Sequence, residues 1–278
     1  MNQGPRAGGN VGVRRRLWGA TLTVTAVGVL TGLSLLPLER RQGINDRISS
    51  QRVSLATKAS GFLLRDAEYR RLAAEITHGC TTDEARAFAL LAWTRARIHP
   101  TPEGWQVIDD HILNIIIRGY GEEDQQADVF TTLAAYAGLP AFWKIVKARS
   151  GDDSVVLSFL RLNGQWTVWD VRRGVVFSNA RGQVASLQEL RQDGALIAAD
   201  SGRATHDGQD YRLYVEDGVA SVDIPRPLRA HKQMPGRRIL FECERLLWKP
   251  LRWAGGNGRA DSVTSPEMTM TRKTGTAR

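Results

Sequence analysis

The chain has 278 residues, of which 42% are hydrophobic and 24% charged, with a formal net charge of +9. That hydrophobic fraction supports an ordinary folded core and excludes a wholly disordered chain. Two cysteines, Cys80 and Cys243, exclude a disulfide framework, and five scattered histidines show no metal-ligand spacing.

The first sixteen residues form a basic tail closing on Arg14, Arg15 and Arg16. Leu17 to Leu38 then contains no charged residue, and Arg40 and Arg41 follow. As a helix this run spans about 33 Å, enough for a bilayer core. A cleaved signal peptide is the competing reading, but Pro37, Leu38 and Glu39 stand where a small-x-small site belongs. The expectation is one uncleaved transmembrane helix over 17–38, with the tail in the cytoplasm and the domain outside it. A polar connector is expected over 39–58, and the domain proper over 59–225.

Within the domain, Ala67 to Ile76 reads as a helix, and Thr81-Thr82-Asp83-Glu84 as a capping box for the next one. That second helix carries Ala85, Phe88, Leu91, Ala92 and Ile98. Phe130, Leu133, Ala134 and Ala137 form an apolar stripe at helical spacing, stopped by Gly138 and Pro140. Strands are predicted over Ala141–Ala148, Ser154–Leu162, Gln165–Val171, Gly174–Ser178 and Tyr211–Val215, and a short helix over Ser186–Asp193. Asn163-Gly164 between two apolar runs marks a two-residue hairpin. Its register makes paired numbers sum to 327, so that Leu157 faces Asp170 and Val155 faces Arg172. Helices leading into an antiparallel sheet define the fold class as α+β.

From Arg226 to Arg278 there are 12 Lys and Arg against 4 acids, a net of +8. The stretch 226–253 mixes apolar residues with Arg and Lys, as a helix on an anionic membrane or a docking helix with a solvated basic face would. From 254 to 278 Gly, Ser and Thr dominate, which predicts a disordered tail. No nucleic-acid-binding motif accompanies the basic charge, so no nucleic-acid partner is expected.

Two motifs carry a resemblance. Gly121-Glu122-Glu123-Asp124-Gln125-Gln126-Ala127 leads into a helix closing at Ala137-Gly138-Leu139-Pro140-Ala141. Val155 is then followed at fixed spacing by Gly164, Trp166 and Asp170. Over roughly 74–170 the chain resembles the transglutaminase-like superfamily, a branch of the papain-type thiol enzymes. That family sets Cys at a helix N-terminus, His on one strand and Asp on the next. By this resemblance the Cys position holds Glu123, the His position holds Val155, and Asp170 alone survives of the triad.

A carboxylate at a helix N-terminus is electrostatically favoured, but it is a poor acyl acceptor, and valine cannot act as a base. The resemblance therefore implies a catalytically degenerate module binding a peptide, glycan or protein partner, without metal or cofactor. Its setting by analogy is a bacterial cell envelope, in a surface-polymer system. The alternative is a hydrolase or acyl transferase using Glu123 and Asp170 as a carboxylate pair. Cys80, ahead of a helix, and His111, after two aspartates, read as structural residues. Trp166 and Trp169 read as packing residues.

Overall fold

The computed structural model describes residues 23–45, 47–109, 111–148, 153–201, 211–215 and 223–253. The expected basic tail, the first part of the expected membrane span and the expected disordered tail lie outside them. The chain divides into two compact units, 1–238 and 239–278.

The first unit opens with helical residues 23–34 (α1). Among the described residues no helix is long and apolar enough to cross a membrane. The expected span to Leu38 is also shortened, because Pro37 and Leu38 already belong to a strand. The polar connector expected over 39–58 is instead a hairpin, β1 (Pro37–Ile44) and β2 (Arg47–Ser54), with β4 (Ile108–Asp109) added beyond β1. Its strands are mostly exposed and polar on both faces, so they lack the alternation that marks a strand. Ser54 Oγ then accepts from the Thr57 N–H and starts α2 (Leu55–Ile76) twelve residues before the expected helix start at Ala67.

Helix α3 (Asp83–Arg97) starts at Thr82, whose side chain accepts from the Ala85 N–H. The expected box between Thr81 and Glu84 is therefore not the cap in use. Its buried face is Ala87, Leu90, Leu91 and Thr94, while Phe88 of the expected stripe stays exposed. A short parallel pair, β3 (His99–Pro100) with β5 (Tyr120–Gly121), flanks α4 (Ile112–Arg118).

Helix α5 (Glu123–Tyr136) is central, and every residue from Gln125 to Ala135 is buried. It ends in a Schellman motif. Gly138, at φ +87°, donates to the Ala135 carbonyl, and Leu139 donates to Ala134.

The main sheet is antiparallel in the order β6 (Ala141–Lys147), β7 (Ser154–Leu162), β8 (Gln165–Asp170), β9 (Val175–Val176). The β7–β8 register sums to 327, from Leu162–Gln165 to Ser158–Trp169. It stops there: residues 171–174 turn, and β9 takes up pairing with Asp170 and Trp169. Val155 therefore has no partner at Arg172, and across the sheet it pairs with Val146. Both sheet faces are covered. Leu160, Leu162 and Trp169 join Phe130 and Leu133 of α5 in one core, while Val155, Leu157, Phe159 and Val168 join a second.

That second core includes Leu190 of α6 (Leu187–Gln192), Ile197 of α7 (Gly194–Ser201), and Tyr214 and Val215 of α8 (Arg212–Val215). Helix α6 carries a reciprocal box, in which Ser186 Oγ accepts from the Glu189 N–H and Glu189 Oε2 accepts from the Ser186 N–H. The strand expected over Tyr211–Val215 is the short helix α8. Tyr211, Tyr214 and Val215 are buried at helical spacing, and the Val215 N–H donates to the Tyr211 carbonyl. The body does not end at 225. A 3-10 turn, Arg229–Gln233, continues it and rests against α5, and α9 (Pro235–Trp253) follows. The α+β expectation, with helices packed on an antiparallel sheet, holds.

Candidate functional site

Glu123 is the first residue of α5, and Asp170 the last of β8. Helix α5 is aimed by its first turn. Gln125 Oε1 accepts from the Glu122 N–H at 3.2 Å and from Arg118 Nη2 at 3.2 Å. Its Nε2 donates to the Ile108 carbonyl at 2.7 Å. A Cβ on Gly121 would stand 2.8 Å from Gln125 Oε1 and 3.0 Å from Gln125 Cβ, so a side chain there would displace Gln125 from these bonds. These bonds fix where Glu123 emerges.

The third participant was not foreseen. Arg173, in the turn after β8, places Nη1 3.1 Å from Glu123 Oε1 and 3.7 Å from Asp170 Oδ2. Two carboxylates on one nitrogen lie within about 7 Å of each other. Asp170 is held further. Its Oδ1 accepts from the Arg173 backbone N–H at 2.9 Å, and its Oδ2 from the Tyr211 hydroxyl at 2.5 Å. Burial and the neighbouring Asp170 push the Tyr211 phenol above its usual range. Burial alone would lower the Arg173 guanidinium, but Asp170 and Glu123 outweigh it and raise it. The result is a chain Glu123–Arg173–Asp170–Tyr211 around the end of the sheet.

Glu123 and Asp170 thus meet through Arg173, and Val155 is not part of the chain. Val155 is 1% exposed, inside the second core. The sequence signal for Arg173 is Asp170-Val171-Arg172-Arg173-Gly174. A turn with Gly174 at φ +70° brings the arginine three residues on back over the aspartate.

A second polar cluster lies further along α5. Asp128 Oδ1 accepts from Trp143 Nε1 at 3.0 Å, and Oδ2 meets Arg229 Nη2 at 2.8 Å. The guanidinium also lies 5.5 Å from the Trp143 ring centroid. Burial pushes the Asp128 carboxyl above its usual range, against the opposing pull of Arg229 and the Trp143 N–H. Asp124 is raised as well, chiefly by burial. The half-exposed Arg229 is too well solvated to offset the burial of Asp128.

A carboxyl raised in the fold stabilises it fully only below the unfolded value of about 3.9, and that contribution is lost as pH rises through the folded value. Asp128→Asn keeps an acceptor for Trp143 and removes the buried charge. It is expected to stay within about 1 kcal/mol of wild type at neutral pH. It should also flatten the fall in stability between acid and neutral pH. Urea unfolding at a series of pH values checks this, and parallel curves for the two proteins would contradict it.

Both cysteines are free, Cys80 partly buried in the first unit and Cys243 exposed in the second. His111 caps α4 with its backbone, and its Nε2 lies 3.3 Å from Arg40 Nη2. Among the described residues no three His, Cys, Asp or Glu come together to hold a metal ion. Trp169 is fully buried, donating to Thr167 Oγ1 at 2.7 Å, and Trp166 packs edge-on against Phe142.

No family model matches the chain, and no curated protein matches it. Among solved structures it is similar to a "putative cysteine protease" from Cytophaga hutchinsonii, at 15% identity and a TM-score of 0.34, over 46% of this chain and 45% of that one. It is also similar to a "putative protease" from Parabacteroides distasonis, at 11% identity and a TM-score of 0.31, over 50% of this chain and 39% of that one. The chain spans less than half of each of these structures, and a likeness of this size carries no activity over to it.

Proposed function

We propose that this chain is a membrane-anchored, catalytically degenerate member of the transglutaminase-like superfamily. In this reading it is a binding or scaffold module at the cell envelope, in a surface-polymer system, taking a peptide, glycan or protein partner at the vestigial cleft. The observation that carries the reading is the guanidinium between Glu123 and Asp170. A thiol enzyme needs a titrating imidazole beside its nucleophile, oriented by a third group. Arginine stays protonated and has no lone pair to offer as a base. Arg173 engages both carboxylates as an ion pair, so a fixed cation stands beside Glu123 where a thiol enzyme has its base.

The anchor is supported by exposure. Val24, Leu30 and Leu35 are 72%, 65% and 67% exposed, on a stretch from 23 to 36 that has no charged residue. Water is a poor solvent for that surface, and lipid is a good one. The intact protein should sediment with membranes and resist alkaline carbonate extraction.

The decisive experiment assays thiol-dependent amidase and transamidase activity in wild type and in Cys80→Ala/Cys243→Ala, together with hydrolysis in Glu123→Gln. Absence of thiol-dependent turnover in both proteins is expected. The proximity of the two carboxylates favours one rival, a hydrolase working through Glu123 and Asp170. A wild-type hydrolytic activity that Glu123→Gln abolishes would establish it and overturn the binding-module reading.

A further inference from the structure

We propose that α9 is an interfacial helix that lies in the plane of an anionic lipid surface. The helix runs from Pro235 to Trp253, and most of it lies in the second unit. Ile239 and Leu240 are 63% and 64% exposed, and Cys243 is exposed one turn on. The sequence continues the same helical spacing with Leu246, Leu247 and Leu251. Arg237, Arg238, Arg245, Lys249 and Arg252 fall at the intervening positions, against two acids, Glu242 and Glu244. Glu242 is already engaged by Arg245 at 2.8 Å.

Charge decides between the possible occupants of the apolar stripe. A second copy of the helix would bring two net-positive flanks together, which costs association. A nucleic acid would satisfy the cations but leave exposed leucine and isoleucine without an apolar partner. Crossing a bilayer is excluded by seven charged residues within the helix. An anionic lipid surface takes both parts at once, with acyl chains against Ile239 and Leu240 and phosphates against the arginines. The surrounding segment adds to the attraction, because 226–278 carries 12 basic residues against 4 acidic ones.

Cys243 provides a local probe. The full chain with Cys80→Ser is labelled at Cys243 with an environment-sensitive fluorophore. It is then placed with vesicles of phosphatidylcholine alone, or with phosphatidylglycerol added. Because the readout is local to α9, it is independent of the N-terminal anchor and of the vestigial cleft. In the mixed vesicles the emission should shift to the blue and be quenched by brominated acyl chains. The membrane-embedded fraction should rise by about tenfold or more over phosphatidylcholine and fall again in high salt. Arg238→Glu with Arg245→Glu should abolish that rise.

A probe that stays in water in both vesicle types would overturn the proposal. So would equal shielding with and without vesicles, which would assign the stripe to contact with protein.

Discussion

Arg173→Met is expected to destabilise the domain by about 3–5 kcal/mol, because it leaves a buried carboxylate without its cation. The Asp170 side chain is 1% exposed, and the Arg173 side chain 20%. Methionine fills much of the same volume, so the loss would be one of charge more than of packing. The Tyr211 hydroxyl and the Arg173 backbone N–H still reach Asp170, but neither carries the opposing charge.

Asp170→Asn added to Arg173→Met removes the orphaned charge and should recover much of the loss. Glu123→Gln alone should cost no more than about 1 kcal/mol, since Glu123 is partly solvated and its ion pair is correspondingly weak. Urea unfolding midpoints at constant m-value separate the three variants. A loss under about 1 kcal/mol for Arg173→Met would mean that the ion chain does not hold the site together. The observation that carries the binding-module reading, a guanidinium fixed between Glu123 and Asp170, would then lose its force.

The parts legible in the sequence were those where local chemistry and burial agree. The Asn163-Gly164 turn fixes the register of β7 and β8 on its own, and the apolar stripe of α5 ends where Gly138 and Pro140 require. The hairpin of β1 and β2 was illegible for the opposite reason. It buries little, so its sequence is under no pressure to alternate, and it reads as a linker.

Tyr211–Val215 misled because a five-residue run with aromatic or branched side chains at four positions fits both periods, and only the helical one matches what is buried. Arg173 is a different kind of miss. An ion chain depends on how a turn folds back, and the turn after Asp170 also cuts short the ladder that would have carried Val155 toward Arg172. A strand register extrapolated beyond its last hydrogen-bonded pair therefore gives Val155 a partner that it does not have.

That extrapolation matters for any attempt to rebuild a triad. Glu123→Cys with Val155→His restores the three residue types at the positions the family spacing indicates. Position 155 is packed, however. It is 1% exposed, pairs with Val146, and shares a core with Leu157, Phe159 and Tyr211. An imidazole there is larger than valine and brings two nitrogens into apolar surroundings. Overpacking and an unsatisfied polar group together are expected to cost about 3–5 kcal/mol.

Val155→His alone should therefore lower the urea midpoint sharply, and the double variant should lose its fold before it gains a reactive thiol. Glu123→Cys alone should stay folded, with its thiol at the helix N-terminus and beside Arg173. It should label faster than an unperturbed cysteine, because both neighbours favour the thiolate. No imidazole would be present to make that thiol an acyl-transfer catalyst. The result that would sink this argument is a double variant as stable as wild type whose new thiol labels rapidly. Such a protein would require position 155 to open onto the cleft, and Arg173 to yield its place between residues 123 and 170.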